Sequence, residues 1–85
     1  MGMYRIEFRK SVEKDLKALP GKDQIRILER VSQLAEDPRP PGSKKLSGQD
    51  RYRLRQGDYR ILYEIEEGRL IVTVVKVGNR RNVYR

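Results

Sequence analysis

Apolar and polar positions alternate at the start of the chain. Tyr4, Ile6 and Phe8 fall on one face of an extended run from Met3 to Phe8, with Arg5 and Glu7 on the other. That is the pattern of a half-buried strand. The spacing then becomes helical: Val12, Leu16 and Leu19 recur at i, i+4 and i+7, Ser11 can cap the helix, and Pro20-Gly21 ends it. A second helix is expected from about Lys22 to Glu36, with Ile25, Leu28, Val31, Leu34 and Ala35 as its buried stripe. Ile27 falls off that stripe, available to a partner or to the sheet edge. So short a break between helices implies a helix hairpin. The run Asp37-Pro38-Arg39-Pro40-Pro41-Gly42-Ser43 suits neither helix nor central strand, so it is read as a stiff loop.

The period returns to two from Arg51 onward. Arg51, Arg53 and Arg55 share one face, and Tyr52 and Leu54 point the other way. After a turn at Gly57-Asp58, Tyr59, Ile61, Tyr63 and Ile65 line one face, and Arg60, Leu62 and Glu64 the other. Three cations at two-residue spacing repel one another, so the face they share calls for an anion. Glu66-Glu67-Gly68 reads as a further turn. Beyond it, Leu70, Val72 and Val74 face one way, and Ile71, Thr73, Val75 and Val77 the other. Apolar residues on both faces mark a central strand. The order is β-α-α-β-β-β, an α+β fold in which a helix hairpin packs on a largely antiparallel twisted sheet. Residues 1–85 are expected to form one domain.

Composition sharpens this picture. With 36% hydrophobic residues against 38% charged, the core must be lean. No apolar run approaches the ~18 residues of a membrane span, and no signal-peptide pattern opens the chain, so a cytoplasmic protein is expected. Cysteine is absent, which removes disulfides and thiolate metal sites. Twenty Lys and Arg against twelve Asp and Glu leave a net charge of +8, which favours a polyanion or an acidic partner. Many of these cations are arginines, the better bidentate phosphate ligands.

Candidate chemistry is narrow. Histidine is absent, no carboxylates have metal-ligand spacing, and no glycine-rich loop leads into a helix, so neither metal nor cofactor is expected. What remains is Arg53, Arg55, Arg60, Arg80, Arg81 and Tyr84, with Lys44, Lys45 and Arg51 as further phosphate contacts. Such a set suits RNA cleavage, where the substrate brings its own nucleophile, the 2′-hydroxyl. The protein then aligns that oxygen, stabilises charge on the phosphorane and assists the departing 5′-oxygen. Tyr84 is the most plausible proton donor, though it can equally stack on a base or pin the tail. Glu64 is a weaker candidate base, or an ion-pair partner for a neighbouring arginine. Tyr52, Tyr59 and Tyr63 read as packing residues.

The segments Lys-Lys-Leu-Ser-Gly, Tyr-Arg-Leu-Arg-Gln-Gly-Asp-Tyr-Arg-Ile-Leu-Tyr and Val-Gly-Asn-Arg-Arg-Asn-Val-Tyr stand in an order that resembles the RelE/ParE superfamily of toxin–antitoxin toxins. The resemblance implies a RelE-like fold and a RelE-type function: ribosome-dependent cleavage of mRNA in the A site, neutralised by an acidic, partly disordered RelB-like antitoxin. By position it makes Arg53, Arg55, Arg60, Arg80 and Tyr84 the catalytic set. Lysines are usual at the positions of Arg53 and Arg55, and Asn79 stands where related sequences often carry His or Lys. A general base at Arg55 is therefore in doubt. The ParE branch, which poisons DNA gyrase, is the alternative; a degenerate toxin kept only for binding its antitoxin is a third.

Overall fold

The structure is a computed structural model that describes residues 3–46 and 50–79. Arg80, Arg81 and Tyr84, all expected at the site, lie outside the described residues. Seven elements follow one another: β1 (Arg5–Phe8), α1 (Lys10–Lys17), α2 (Gly21–Gln33), β2 (Lys44–Lys45), β3 (Arg51–Gln56), β4 (Tyr59–Glu66) and β5 (Ile71–Asn79). The strands form a single sheet in the order β1-β5-β4-β3-β2. Among the described strands only the β1–β5 pairing is parallel; the others are antiparallel. Both helices pack on one face of this sheet, as the sequence pattern predicts.

The core lies between helices and sheet. Val12 of α1 and Ile27, Val31 and Leu34 of α2 meet Leu54, Ile61, Tyr63, Val72, Val74 and Val77. Leu16 and Leu19 are packed against the edge of this cluster, as their spacing requires. The α2 stripe, however, is rotated from the expected one. Ile27 is buried at 1% exposure, while Ile25 and Leu28 stay 59% and 42% exposed. The i, i+4, i+7 set of Ile27, Val31 and Leu34 runs unbroken, whereas Ser32 interrupts the stripe built on Ile25 and Leu28. Ser11 is not the cap of α1 either: Arg9 holds that position without a side-chain bond, and Ser11 sits within the first turn.

Lys44 and Lys45 are not loop residues but a two-residue edge strand paired with β3. Gly57, with φ 59°, allows the two-residue turn between β3 and β4, whose last and first residues, Gln56 and Tyr59, are partners. Leu70 is also left-handed, at φ 53°, and closes the loop before β5 instead of opening the strand.

The largest departure from period two lies in β5. Leu62 pairs with Lys76 and Tyr63 with Val74, so Val75 is an extra residue, a β-bulge. Past the bulge the faces exchange. Val77 joins Val72 and Val74 in the core instead of standing opposite them, and Lys76 turns away from the helices. β1 ends at Phe8, opposite Val74. Beyond that point the Val77 N–H donates to Asp15 Oδ2 of α1 at 3.1 Å.

A polar strap closes the core at the far end from the Gly57 turn. The Tyr63 hydroxyl, buried with its ring, donates to the Pro38 carbonyl at 2.7 Å. Its ring stacks on Tyr52 at 5.7 Å between centroids. Arg39 lies over Tyr52, donates Nε–H to the Tyr52 hydroxyl at 3.0 Å and pairs with Glu67. Tyr4 donates to the other oxygen of Glu67 at 2.9 Å. These partners fasten the Asp37–Ser43 loop to β3 and β4, and the residue before β1 to the residue after β4. Tyr52, Tyr59 and Tyr63 are thus packing residues, as expected.

Candidate functional site

The face of the sheet away from the helices is read directly from the strand register. One row crosses the sheet as Arg51, Glu64, Thr73 and Glu7. The next holds Lys44, Arg53, Leu62 and Lys76. A third, beside the Gly57 turn, holds Arg55, Arg60 and Gly78. The cross-strand pairings explain why these side chains converge, since directly opposed residues have Cβ atoms about 4.5–5.5 Å apart.

The first row is largely neutralised. Arg51 donates Nε–H to Glu64 Oε2 at 2.9 Å, and Arg9 reaches Oε1 of the same carboxylate at 3.4 Å. Glu64 is therefore an ion-pair partner, held by two arginines, and not a poised base. Arg51, expected to contact phosphate, is committed to the same bridge.

The second and third rows differ. They hold Lys44, Arg53, Lys76, Arg55 and Arg60, and no described carboxylate stands in them. Arg55 and Arg60 are direct cross-strand partners, an arrangement that like charges disfavour. Gly78, facing Arg60 from β5, adds no side chain to the row. Beneath the cations lies a small second apolar cluster, Leu62 and Val75 with Leu46 against them. Together these residues make a cationic surface beside a small apolar cluster. Its guanidinium groups can grip the non-bridging oxygens of a phosphate and stabilise added charge there.

The expected site residues thus divide. Arg53, Arg55, Arg60 and Lys44 share one face. Lys45, partner of Tyr52, falls on the helix side and does not join them. Arg80 and Arg81 follow directly on β5, whose last residue, Asn79, pairs with Tyr59. Lys76 belongs to the cationic rows and was invisible to sequence reasoning, because simple alternation puts it on the core side and only the bulge reverses that. Tyr59, around the turn, donates its hydroxyl to Asp23 Oδ2 at 2.8 Å, and that bond raises its pKa. Among the described residues no group of three His, Cys, Asp or Glu side chains is placed to hold a metal. Nor, among the described residues, is any helix long and apolar enough to cross a membrane.

Two helices on one face of a five-stranded sheet, with two rows of cations and no described carboxylate among them on the other, define a class of small basic α+β domain. The chain matches the family described as "ParE toxin of type II toxin-antitoxin system, parDE" over residues 6–84. It is 31% identical to the putative toxin RelE1 of Methanocaldococcus jannaschii, over 96% of each chain. The toxin–antitoxin complex RelBE2 of Mycobacterium tuberculosis contains a chain that superposes with a TM-score of 0.82 at 26% identity, covering 92% of this chain and 99% of that one. For the archaeal RelE–RelB complex of Pyrococcus horikoshii the TM-score is 0.80 at 30% identity, covering 95% and 99%. The chain belongs to the RelE/ParE family, and is a RelE-like toxin of a type II toxin–antitoxin system.

Proposed function

We propose that this toxin is a ribosome-dependent endoribonuclease that cuts mRNA in the A site. The observation that carries this reading is the pair of rows, without a described carboxylate, in which Arg55 and Arg60 oppose each other beside Arg53. A phosphate placed beside these opposed guanidiniums meets charged donors from both strands. The 2′-hydroxyl of the substrate attacks the adjacent phosphorus. Arg53, Arg55 and Arg60 stabilise the phosphorane oxygens, with Arg80 joining from the tail. Lys44 and Arg81 guide the flanking phosphates. Tyr84 gives its proton to the departing 5′-oxygen or stacks on the base beside the cut. The names of the relatives support a RelE-type activity.

The partner is a RelB-like antitoxin, acidic and partly disordered until it binds. The relatives' complexes with RelB support this, and so does the surface: Ile25 and Leu28 leave an apolar strip on a strongly basic domain.

A second reading, poisoning of DNA gyrase, is favoured by the ParE description of the matching family. Mapping mRNA 5′ ends after brief expression separates the two. Codon-phased cuts are expected; intact mRNA with gyrase-dependent DNA breaks would replace the first reading with the second.

A further inference from the structure

Cleavage by a 2′-hydroxyl needs a group that takes that hydroxyl's proton, and the cationic rows are dominated by arginine. A guanidinium, with a reference pKa above about 12, is a poor proton acceptor. Glu64 is engaged by Arg51 and Arg9. Two amines remain on this face. Lys44 sits on the two-residue edge strand, two strands from Arg60. Lys76 sits on β5, adjacent to β4, one step along the ladder from the Arg60–Gly78 pair. A diagonal neighbour across two strands lies about 7–8 Å away, within reach of a lysine side chain.

We propose that Lys76 is a further catalytic residue, the proton acceptor of this site; the inference rests on the nuclease reading above. As the free amine it takes the proton of the attacking 2′-hydroxyl. The 2′-oxygen–phosphorus bond forms and the phosphorus–5′-oxygen bond breaks. The leaving oxygen takes a proton from Tyr84 or water, leaving a 2′,3′-cyclic phosphate and a 5′-hydroxyl.

The fold contains a specific device for putting the amine there. Were Val75 paired regularly as the residue after Val74, Lys76 would point into the helices. The bulge turns it outward, and Asp15 secures the strand just past it by accepting the Val77 N–H. The charged groups around Lys76 are Arg53 of β3, Arg60 and Glu64 of β4, Arg9 after β1, and Asp15 of α1, which lines a groove with it. Gly78 keeps the space beside it clear.

Single-turnover cleavage on saturated ribosomes tests this with Lys76→Ala and Lys76→Arg. Both should slow by roughly 10²-fold or more, since arginine keeps the charge but cannot give up its proton. The wild-type rate should also climb with pH above neutrality, and that slope should vanish in both variants. Unchanged melting and antitoxin-peptide binding show that the variants are folded. An arginine variant at the wild-type rate would reduce Lys76 to a charge, and two normal variants would make it a spectator. A wild-type chain that binds the peptide but cuts no mRNA overturns the nuclease reading, and this inference with it.

Discussion

At the strap, a charged side chain meets groups of complementary chemistry; in the cationic rows, like charges stand across the ladder from each other. Arg39 has a tyrosine hydroxyl, an aromatic face and a carboxylate, so its charge is used up holding a loop to the sheet. Glu67, in turn, is held below its ordinary carboxylate pKa by Arg39 first and Tyr4 second. Arg55 faces Arg60. The residue type is the same, and the neighbours differ: a carboxylate and a ring for Arg39, a second guanidinium across the ladder for Arg55. In small basic proteins a count of arginines therefore says less than the register that pairs them.

The comparison can be broken most severely at Tyr63. Tyr63→Ala removes a fully buried ring, its stack on Tyr52 and its bond to Pro38, and should cost about 3–5 kcal/mol of stability by chemical denaturation. At the other pole, Arg60→Ala should raise the barrier to single-turnover cleavage by about 2–4 kcal/mol. Its unfolding free energy should move by no more than about 1 kcal/mol. Equal losses in cleavage and ribosome binding would instead make Arg60 an anchor.

A pH experiment sharpens the strap side. Burial pushes the Tyr63 phenol from 10.0 up to about 12, so the folded chain holds that proton longer than the unfolded chain does. The stabilisation is complete below pH 10 and is lost as pH rises towards 12. The loss should amount to about 2–3 kcal/mol, and Tyr63→Phe should abolish it. The smallest effect is the most diagnostic. Arg55→Thr relieves the like-charge pair and should stabilise the fold by about 0.2–1 kcal/mol while slowing cleavage. A destabilised Arg55→Thr variant would show that the pair is not in conflict.

Much of this was legible in the sequence. The element order, the two faces of β3 and the packing role of the tyrosines follow from period and residue type. Three features were not. The phase of α2 depended on Ser32 spoiling one of two apolar stripes, a signal that was present but subtle. The strand at Lys44 and Lys45 exists only because β3 offers it an edge, so two exposed lysines gave no local sign of it. The bulge leaves no mark in composition: Val74, Val75 and Val77 are equally apolar, and which of them turns inward is settled by pairing with β4 and by Asp15. That is why the outward face of Lys76 was missed while the shared face of Arg53 and Arg55, with Arg60 opposite, was legible.

The outer strands of this sheet are short. Among the described residues β2 covers Arg53 and Tyr52 but not Arg55 or Gln56, and β1 stops opposite Val74, leaving no described strand beside β5 from Val75 onward, where Asp15 takes the Val77 N–H. Uncovered borders invite a strand from another molecule, and charged side chains along them are the usual deterrent to aggregation. Arg55 on one border and Lys76 on the other supply that deterrent here. On the nuclease reading proposed above, the cations that would draw an RNA would also keep one copy of the toxin from pairing with the next, and a polyanion that neutralised them would remove that barrier. Self-association and RNA binding would then be coupled through the same few charges.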